Sequence, residues 1–324
     1  MKAVLCPKYG PADRLRIAET PAPVPGPNEV LVKIHATAVN DYDWSMIRGK
    51  PRVLRLLFGI FKPKNPIPGM ELAGVVEACG PDARTFQPGD AVYGDTSDHT
   101  FGAFAEYVCV PEKALRKKPE GMSFVDAAAL PHAAGLAIQG LRDVGGIKPG
   151  RRILVNGAGG GVGTCALQIA RAYEAAEVTG VDTGDKLEMM RDLGYDRVID
   201  YKREDFTKIA QRYDLILDAK TKRSPFAYAR ALNAGGIYVT VGGSLPRLIQ
   251  ILCIGPLISR FTKKRLSILA LKANEGLDTI ETLFAEGRLR CVIDGPYPLE
   301  KAAWAVQRFG AGEHSGKIVL TPET

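Results

Sequence analysis

The sequence predicts an α/β protein of two domains, in which an antiparallel β domain is interrupted by a doubly wound domain built on a parallel sheet. The chain has 324 residues, whereas a single hydrophobic core usually stops growing at about 250–300 residues. Near residue 123 the pattern changes from short apolar runs between turns to alternating strands and helices. Hydrophobic residues make up 46% of the chain, and no tract is of low complexity, so both parts can bury a core.

The first 122 residues have the pattern of antiparallel strands. Short apolar runs alternate there with Pro and Gly clusters such as PAPVPGP and QPGD, which are typical of strands joined by turns. The predicted strands are Lys2–Leu5, Glu29–Ala38, Leu72–Ala78, Ala91–Tyr93 and Ala103–Val110.

From residue 123 strands alternate with helices. The predicted helices are Phe124–Leu141, Val162–Tyr173, Lys186–Leu193 and Leu277–Ala285. The predicted strands are Arg152–Asn156, Glu177–Val181, Val198–Ile199, Leu215–Leu217, Ile237–Val241 and Leu266–Leu271. Strands separated by helical stretches of ten or so residues indicate βαβ units and therefore a parallel sheet.

The end of the chain returns to the earlier pattern. A short strand at Val292–Ile293 is followed by a Pro-rich turn, a helix at Leu299–Phe309 and a last strand at Lys317–Leu320. Such a tail can rejoin the first domain, which makes the parallel-sheet domain an insertion. The predicted domains are residues 1–122 with 294–324, and residues 123–293.

Composition excludes several classes of protein. The amino terminus lacks the apolar stretch of a signal peptide, and no apolar run approaches the ~20 residues of a membrane-spanning helix. We therefore expect a cytoplasmic protein without integral membrane insertion. The net charge of +7 suits phosphate-bearing small ligands as well as nucleic acid, so charge alone does not identify the partner. No nucleic-acid partner is expected. The six scattered cysteines are expected to be small apolar core residues rather than metal ligands.

The most informative segment is the glycine-rich stretch ILVNGAGGGVGTCALQIA, residues 153–170. A predicted strand runs into a tight turn and then into a helix, which is the context of dinucleotide-binding turns. The bare backbone of such a turn lets a pyrophosphate approach the N–H groups at the start of the helix. The residues assigned to this role are Ala158, Gly160, Gly161, Val162 and Gly163. A glycine-rich turn without a ligand is the alternative.

A carboxylate follows at the end of the next strand. Asp182 can accept hydrogen bonds from the adenosine ribose hydroxyls, and its charge should repel a 2′-phosphate. Thr183 and Lys186 lie beside it, and the lysine can offset that repulsion. Tyr201 can stack beside the adenosine. A helix-capping role for Asp182 and a solvated surface charge for Lys186 are the alternatives, and charge favours NAD weakly over NADP.

With these residues in hand, the chain resembles the medium-chain dehydrogenase/reductase superfamily over almost its whole length. The segments that carry the resemblance are PGPNEVLVKIHATAVNDYDW, PIPGMELAGVVEACG, FQPGDAVYG, GAFAEYVCVP, NGAGGGVG, LGYDRVIDY, YVTVGG and HSGKIVL. The resemblance implies a GroES-like β domain formed from both ends of the chain, with an inserted Rossmann domain. It also implies a cleft between them that holds the nicotinamide.

The zinc-dependent branch of this superfamily is a poor match. That branch has a Cys in the loop that is Asn40–Asp43 here, and a His where this chain has Met70. The four-cysteine structural zinc lobe is also missing. Without a thiolate and an imidazole a tetrahedral zinc site is not completed, so no metal is expected, and Glu71 is expected to form a structural ion pair or hydrogen bond.

The quinone oxidoreductases and enoyl reductases are the better match. Their V-N-x-x-D pattern occurs at Val39, Asn40 and Asp43, which makes Asn40 the candidate for orienting the nicotinamide or a substrate carbonyl. A turn residue that satisfies its own backbone is an equal alternative. Gly242 and Gly243 end a strand where backbone can approach the nicotinamide. Lys317 lies where relatives place a basic residue near the pyrophosphate, or it is simply a strand-edge lysine.

Two features depart from this branch. A Tyr often found after the V-N-x-x-D motif is missing, and a common DAVG segment is DAKT at 218–221. These changes leave the substrate and the contacts at the edge of the nicotinamide open.

The resemblance implies reduction of a small hydrophobic quinone or α,β-unsaturated carbonyl by NAD(P)H. No residue stands out as an obligatory acid, which such conjugated substrates tolerate. A cofactor-binding redox sensor and a zinc-free ketone or alcohol oxidoreductase are the alternatives. A homodimer is expected. The apolar segments 53–61 and 248–258 follow the Asn40 loop and the VGGS segment, so we expect them to border the cleft. A subunit interface is the equal alternative, and contact with a lipid surface is a third one.

Overall fold

A computed structural model of the protein describes residues 1–322. The strands are β1 (Lys2–Leu5), β2 (Arg16–Glu19), β3 (Glu29–Ala38), β4 (Glu71–Cys79), β5 (Ala91–Asp95), β6 (Tyr107–Pro111), β7 (Arg116–Lys117), β8 (Arg152–Asn156), β9 (Glu177–Asp182), β10 (Arg197–Asp200), β11 (Tyr213–Asp218), β12 (Leu232–Thr240), β13 (Arg265–Ile268), β14 (Ile293–Pro298) and β15 (Lys317–Thr321). The helices are α1 (Asp41–Arg48), α2 (Arg55–Phe58), α3 (Phe124–Ala129), α4 (Pro131–Ile138), α5 (Gly161–Ala172), α6 (Leu187–Leu193), α7 (Pro225–Ala231), α8 (Leu245–Phe261), α9 (Leu277–Ala285) and α10 (Ala302–Ala311).

The chain divides into two compact units. The first contains Met1–His132 and the C-terminal segment that begins at Ile293, and the second contains Ala133–Val292. The first junction lies at residue 132 rather than 122, because α3 packs against β3 and β4 of the first unit.

The first unit is built on a seven-stranded sheet in the order β14-β15-β3-β4-β5-β7, with β6 also paired to β3. β3 buries every second residue, including Val30, Val32 and Ile34, which is the alternation expected of a strand with one face on a core. The last strand, β15, pairs antiparallel with β3 through Val319 and Leu320. The C-terminal segment therefore completes the sheet that the N-terminal part begins.

The second unit has a six-stranded sheet, β10-β9-β8-β11-β12-β13, in which every pair is parallel. The two central strands β8 and β11 follow each other in space but not in sequence, so the strand order reverses there, as in doubly wound folds. Leu215, Ile216 and Leu217 are all buried, because strands of a parallel sheet are covered on both faces.

Several local predictions are wrong in detail. The predicted helix 124–141 is broken between α3 and α4 at Leu130. Leu130 keeps helical dihedral angles, and the break arises because Pro131 has no N–H to continue the hydrogen bonds of α3. The predicted Pro-rich turn after residue 293 is the edge strand β14. Cys253 is exposed on α8, so the core role expected of every cysteine fails there.

Among residues 1–322, no helix is both long and apolar enough to cross a membrane.

Candidate active site

The first unit buries a lysine–glutamate ion pair beside the Asn40 loop. Lys317 at the start of β15 and Glu71 at the start of β4 lie with Nζ and Oε2 2.8 Å apart, and both side chains are buried. Asn40 joins them, because its Nδ2 donates to Glu71 Oε2 at 3.0 Å and its Oδ1 accepts from Lys317 Nζ. These three residues come from different parts of the sequence and meet because β15 and β4 both pair with β3.

The amide of Asn40 is fully engaged within the protein. Its second N–H donates to the carbonyl of Ala38 at 3.2 Å, so both amide hydrogens have protein partners. The structure thus places Asn40 as the residue that positions Lys317 and Glu71. The lysine has three donors, of which two are used by Asn40 and Glu71, and the third has no protein partner in the described chain.

His132 lies between two carboxylates in the same unit. Its Nδ1 is 2.8 Å from Asp95 Oδ2 and its Nε2 is 3.1 Å from Asp41 Oδ1. Burial opposes a charged imidazole, but the hydrogen bonds and charges of Asp41 and Asp95 outweigh it and raise the pKa of His132 to about 10. The ring is therefore an imidazolium at neutral pH.

The backbone of His132 connects this histidine to the lysine–glutamate pair. Its N–H donates to Glu71 Oε1 at 2.7 Å, so both oxygens of Glu71 are satisfied. Two cations thus share one network with Glu71 and Asp95, which are buried, and with Asp41, whose side chain is exposed. Each carboxylate oxygen named has a specific donor.

The loop that carries Asn40 is held by Asp43, the last residue of the V-N-x-x-D pattern. Its Oδ2 accepts from the N–H of Asn40 and its Oδ1 accepts from the N–H of Gly69, each at 2.9 Å. Burial raises the pKa of Asp43 to about 7 in spite of these two donors. The pattern thus ties the start of α1 to the segment before Met70.

The side chain of Met70 is apolar and buried. Its backbone carbonyl accepts from the N–H and the hydroxyl of Thr96 at 2.7 and 3.0 Å. Within the described residues no group of three or more His, Cys, Asp or Glu side chains could hold a metal ion.

In the second unit, the glycine-rich segment forms the turn between β8 and α5. Gly160 is the N-cap of α5 in extended conformation, and no side chain caps the helix. A Cβ on Gly163 would lie 2.4 Å from the Cα of Ala158, so helix and turn pack too closely for any other residue. The predicted residues Ala158, Gly160, Gly161, Val162 and Gly163 are all brought together at this uncapped helix start.

Asp182 at the end of β9 fastens this turn. Its Oδ2 accepts from the N–H of Gly159 and its Oδ1 from the N–H of Thr183, each at 2.8 Å. The Nζ of Lys186 is 3.7 Å from Asp182 Oδ1, and both side chains are buried. A solvated surface role for Lys186 is therefore wrong, because its stem covers the turn so closely that a Cβ on Gly159 would lie 2.6 Å from its Cδ.

Two other predicted residues flank this carboxylate. The hydroxyl oxygen of Thr183 is buried and has no hydrogen-bond partner in the described part of the chain. Tyr201 follows β10, its N–H donates to the carbonyl of Asp182 at 3.1 Å, and its ring is exposed. A buried hydroxyl without a partner and an exposed ring beside it leave polar and apolar contacts open to a ligand.

Gly242 and Gly243 lie beyond β12, on a second polar network. The carbonyl of Gly242 accepts from the hydroxyls of Thr221 and Thr240, each at 2.8 Å. A Cβ on Gly243 would lie 2.5 Å from the Cβ of Thr221, so a side chain is excluded there. The DAKT segment that departs from the family pattern thus holds the glycine pair through Thr221.

Sequence reasoning missed His132, Asp95 and Asp41. A lone histidine in an alanine-rich helix carries no spacing pattern, and its partners lie 37 and 91 residues away. Sequence reasoning also missed Gly159, although it stands inside the glycine-rich segment.

Two family profiles match the chain. The profile described as the alcohol dehydrogenase GroES-like domain matches residues 26–120, and the one described as zinc-binding dehydrogenase matches residues 193–320.

Curated proteins and solved structures match along the whole chain. The 2-methylene-furan-3-one reductase of Solanum lycopersicum is 31% identical over 99% of this chain and 79% of its own. The chloroplast envelope quinone oxidoreductase homolog of Arabidopsis thaliana is 31% identical over 97% of this chain and 95% of its own. The quinone oxidoreductase from Coxiella burnetii has a TM-score of 0.86 at 27% identity, covering 99% of each chain.

Proposed function

Because the chain belongs to the medium-chain dehydrogenase/reductase superfamily, in the branch of the quinone oxidoreductases and enoyl reductases, we propose that it reduces a quinone or an α,β-unsaturated carbonyl with NAD(P)H and without zinc. The observation that carries the proposal is the uncapped start of α5, which meets a glycine-rich turn at the carboxyl end of a parallel sheet. That arrangement is typical of dinucleotide binding.

The residues of the second unit fit a dinucleotide. The N–H groups from Gly161 to Gly163 would bind the pyrophosphate, because the first N–H groups of a helix have no partner within it. Asp182 keeps a free lone pair on each oxygen beyond the backbone N–H groups it accepts, and the buried hydroxyl of Thr183 needs a partner. Both would bind the adenosine ribose, beside the ring of Tyr201.

The remaining contacts fall to the glycine pair and to Lys317. Gly242 and Gly243 would present backbone to the nicotinamide, since neither carries a side chain. Lys317 would direct its third donor to the pyrophosphate. When bound, the cofactor supplies a hydride.

The chain's own residues then hold charged groups in fixed positions. Asn40 and Glu71 hold the Lys317 ammonium in one place, so its charge is preorganised. The imidazolium of His132 fixes Asp95 and Asp41 and, through its backbone N–H, also Glu71. A conjugated acceptor delocalises the negative charge it gains, so water suffices as the proton donor.

Zinc independence rests on the same ion pair. The Lys317 ammonium, 2.8 Å from Glu71, would repel a metal cation at that carboxylate. Asn40 and Met70 also replace the thiolate and the imidazole that zinc requires. We expect metal analysis of the purified protein to find no stoichiometric zinc, and a chelator to leave its activity intact. One tightly bound zinc per chain would contradict this.

The test of the activity is NAD(P)H oxidation with a panel of 9,10-phenanthrenequinone, enones and simple ketones. Turnover on quinones or enones supports the proposal, whereas turnover only on simple ketones assigns a ketone reductase. Tight cofactor binding without turnover on any acceptor assigns a sensor. Gly160→Asp is the matched inactive control, because it puts a negative side chain where the pyrophosphate would lie.

For cofactor choice we propose that both NADH and NADPH are used, with less than ~100-fold discrimination, or ~3 kcal/mol. Asp182 repels a 2′-phosphate, and Lys186 offsets the repulsion from 3.7 Å. Asp182→Ser should move the ratio of kcat/KM values towards NADPH. Asp182→Asn removes the charge but keeps an oxygen for the N–H of Gly159, so it separates the effect of the charge from that of the turn geometry. Asp185→Ser, at an exposed neighbouring carboxylate, is the control. An unchanged ratio in both Asp182 variants would remove this residue from the ribose site.

A further inference from the structure

A long segment of the second unit carries only positive charge. From Ala219 to Asn274 the chain has ten Lys and Arg and no Asp or Glu. The net charge of the whole chain is +7, so the rest of the chain sums to −3 (7 − 10). The segment contains α7, α8 and β13.

The solvent face of α8 is apolar. Ile251 and Ile258 pack inward on the core of the second unit, with Gly255 between them. The apolar residues on the opposite, exposed side are Leu245, Ile249, Leu252, Leu257 and Phe261, of which Leu252 is 68% and Phe261 80% exposed. A helix that packs on a core normally shows solvent a polar face, so this stripe calls for an apolar or amphipathic partner.

Cations without protein partners stand at the end of this stripe. Arg260 and Lys263 are exposed, and neither forms a hydrogen bond or an ion pair with any described residue. The neighbouring Lys264 donates to the carbonyl of Ala229 at 2.7 Å and is thereby used inside the fold. The fold therefore leaves two cations free next to a row of exposed leucine and phenylalanine side chains.

The first unit repeats this combination. Residues 44–70 contain six Lys and Arg and no Asp or Glu. The exposed apolar residues there are Val53, Leu56, Ile60 and Phe61, and Arg52 and Lys62 are exposed cations without a partner among residues 1–322.

We propose that the exposed face of α8 binds the surface of an anionic lipid bilayer, and that the segment 52–64 does so independently, by the same chemistry on its own unit. Apolar side chains would enter the headgroup boundary while Arg260, Lys263, Arg52 and Lys62 meet lipid phosphates, as basic amphipathic surfaces do. Charge favours a bilayer over a second copy of this chain. A two-fold contact would bring each basic segment against itself, and neither segment contains an acid to neutralise it. The proposal does not depend on the reaction that the protein catalyses.

The test is flotation with vesicles of phosphatidylcholine alone and with 30% phosphatidylserine added. We expect binding to the anionic vesicles that is at least about tenfold tighter than to the neutral ones, and that weakens in 0.5 M salt. Arg260→Glu/Lys263→Glu should weaken it by at least about tenfold, because each basic residue near such a surface contributes severalfold. Leu252→Gln should weaken it by about tenfold.

Matched controls separate the surface from general charge and polarity. Lys113→Glu/Lys148→Glu reverses two exposed cations outside both segments, and Val24→Gln changes a residue that is 86% exposed. Both should bind vesicles like the wild type, and melting temperatures verify that every variant folds.

Three outcomes would overturn the proposal. The first is equal affinity for neutral and anionic vesicles, or none for either. The second is a change of molecular mass in light scattering for Leu252→Gln without a change in flotation, which assigns the face to a second copy. The third is a protein that does not float with vesicles but binds heparin, with heparin binding unchanged in Leu252→Gln. This result would assign the basic surface to a soluble polyanion.

Discussion

The two units each bury a carboxylate network, but they satisfy it in different ways. In the first unit Glu71 meets the Lys317 ammonium, and Asp95 meets the protonated ring of His132. In the second unit Asp218 accepts at 2.7 Å from the amide of Asn156, at 2.8 Å from the hydroxyl of Tyr238 and at 2.7 Å from the N–H of Lys220. No cation forms an ion pair with Asp218 in the part of the chain that the structure describes.

The difference appears in the pKa values. Burial opposes ionisation of Asp95, but the hydrogen bond and charge of His132 outweigh it and lower the pKa of this carboxyl. Burial raises the pKa of Asp218, and its neutral donors offset this only in part. Hydrogen bonds from neutral groups thus fix the shape of a buried site, whereas a cation also fixes its charge.

The largest expected effect is that of Lys317→Met. Removing one partner of a buried ion pair leaves the other charge uncompensated and costs about 3–5 kcal/mol. Urea unfolding should show this loss, and Lys317→Met/Glu71→Gln should recover much of it, because neither charge then remains.

The matched control is Lys272→Met. Lys272 pairs with Glu275 at 3.2 Å, but both side chains are mostly exposed, so the loss should stay below about 1 kcal/mol. If Lys317→Met costs no more than Lys272→Met, the buried pair does not stabilise the first unit.

The second expected effect is a pH dependence between pH 7 and 9 that arises in the first network, at His132. The pKa of His132 is raised to about 10 in the folded protein, above the usual value of about 6.5. Its contribution is therefore complete below about pH 6.5 and is lost as the pH rises through 10. Between pH 7 and 9 the free energy of unfolding should fall by up to about 1.4 kcal/mol per pH unit.

His132→Asn should remove this slope, while His99→Asn, at an exposed histidine, should keep it. Imidazole nitrogen chemical shifts give an independent reading, since the His132 ring should remain doubly protonated at pH 8. A neutral ring at that pH would refute the charged assignment.

The smallest of the three effects concerns the neutral network. Tyr238→Phe removes the hydroxyl that donates to Asp218, and we expect a loss of about 1–2 kcal/mol by urea unfolding. Tyr201→Phe, at an exposed ring, should change the free energy of unfolding by less than about 0.5 kcal/mol. Equal losses in the two variants would mean that Asp218 is satisfied without the tyrosine.

The sequence and the structure agree best where a feature is local. The glycine-rich turn was predictable, because a strand, a tight turn and a helix follow each other directly in the sequence. The close contact of this turn joins Gly163 and Ala158, which are only five residues apart. The sequence predicted only an apolar segment at 248–258 and no helix where α8 lies. The apolar residues of α8 lie on the inner and the outer side alike, so hydrophobic periodicity could not mark one buried face.

Residue types and their order were sufficient for the fold class, for the missing zinc ligands at Asn40 and Met70, and for the residues of the turn. Only the tertiary structure decided what the polar residues do. Lys317 and Asn40 are 277 residues apart, and they meet because β15 returns to β3. His132 is charged because two distant carboxylates enclose it, and Lys186 is buried because Asp182 and Gly159 accommodate it. Burial and pairing depend on neighbours in space, which spacing along one chain does not specify.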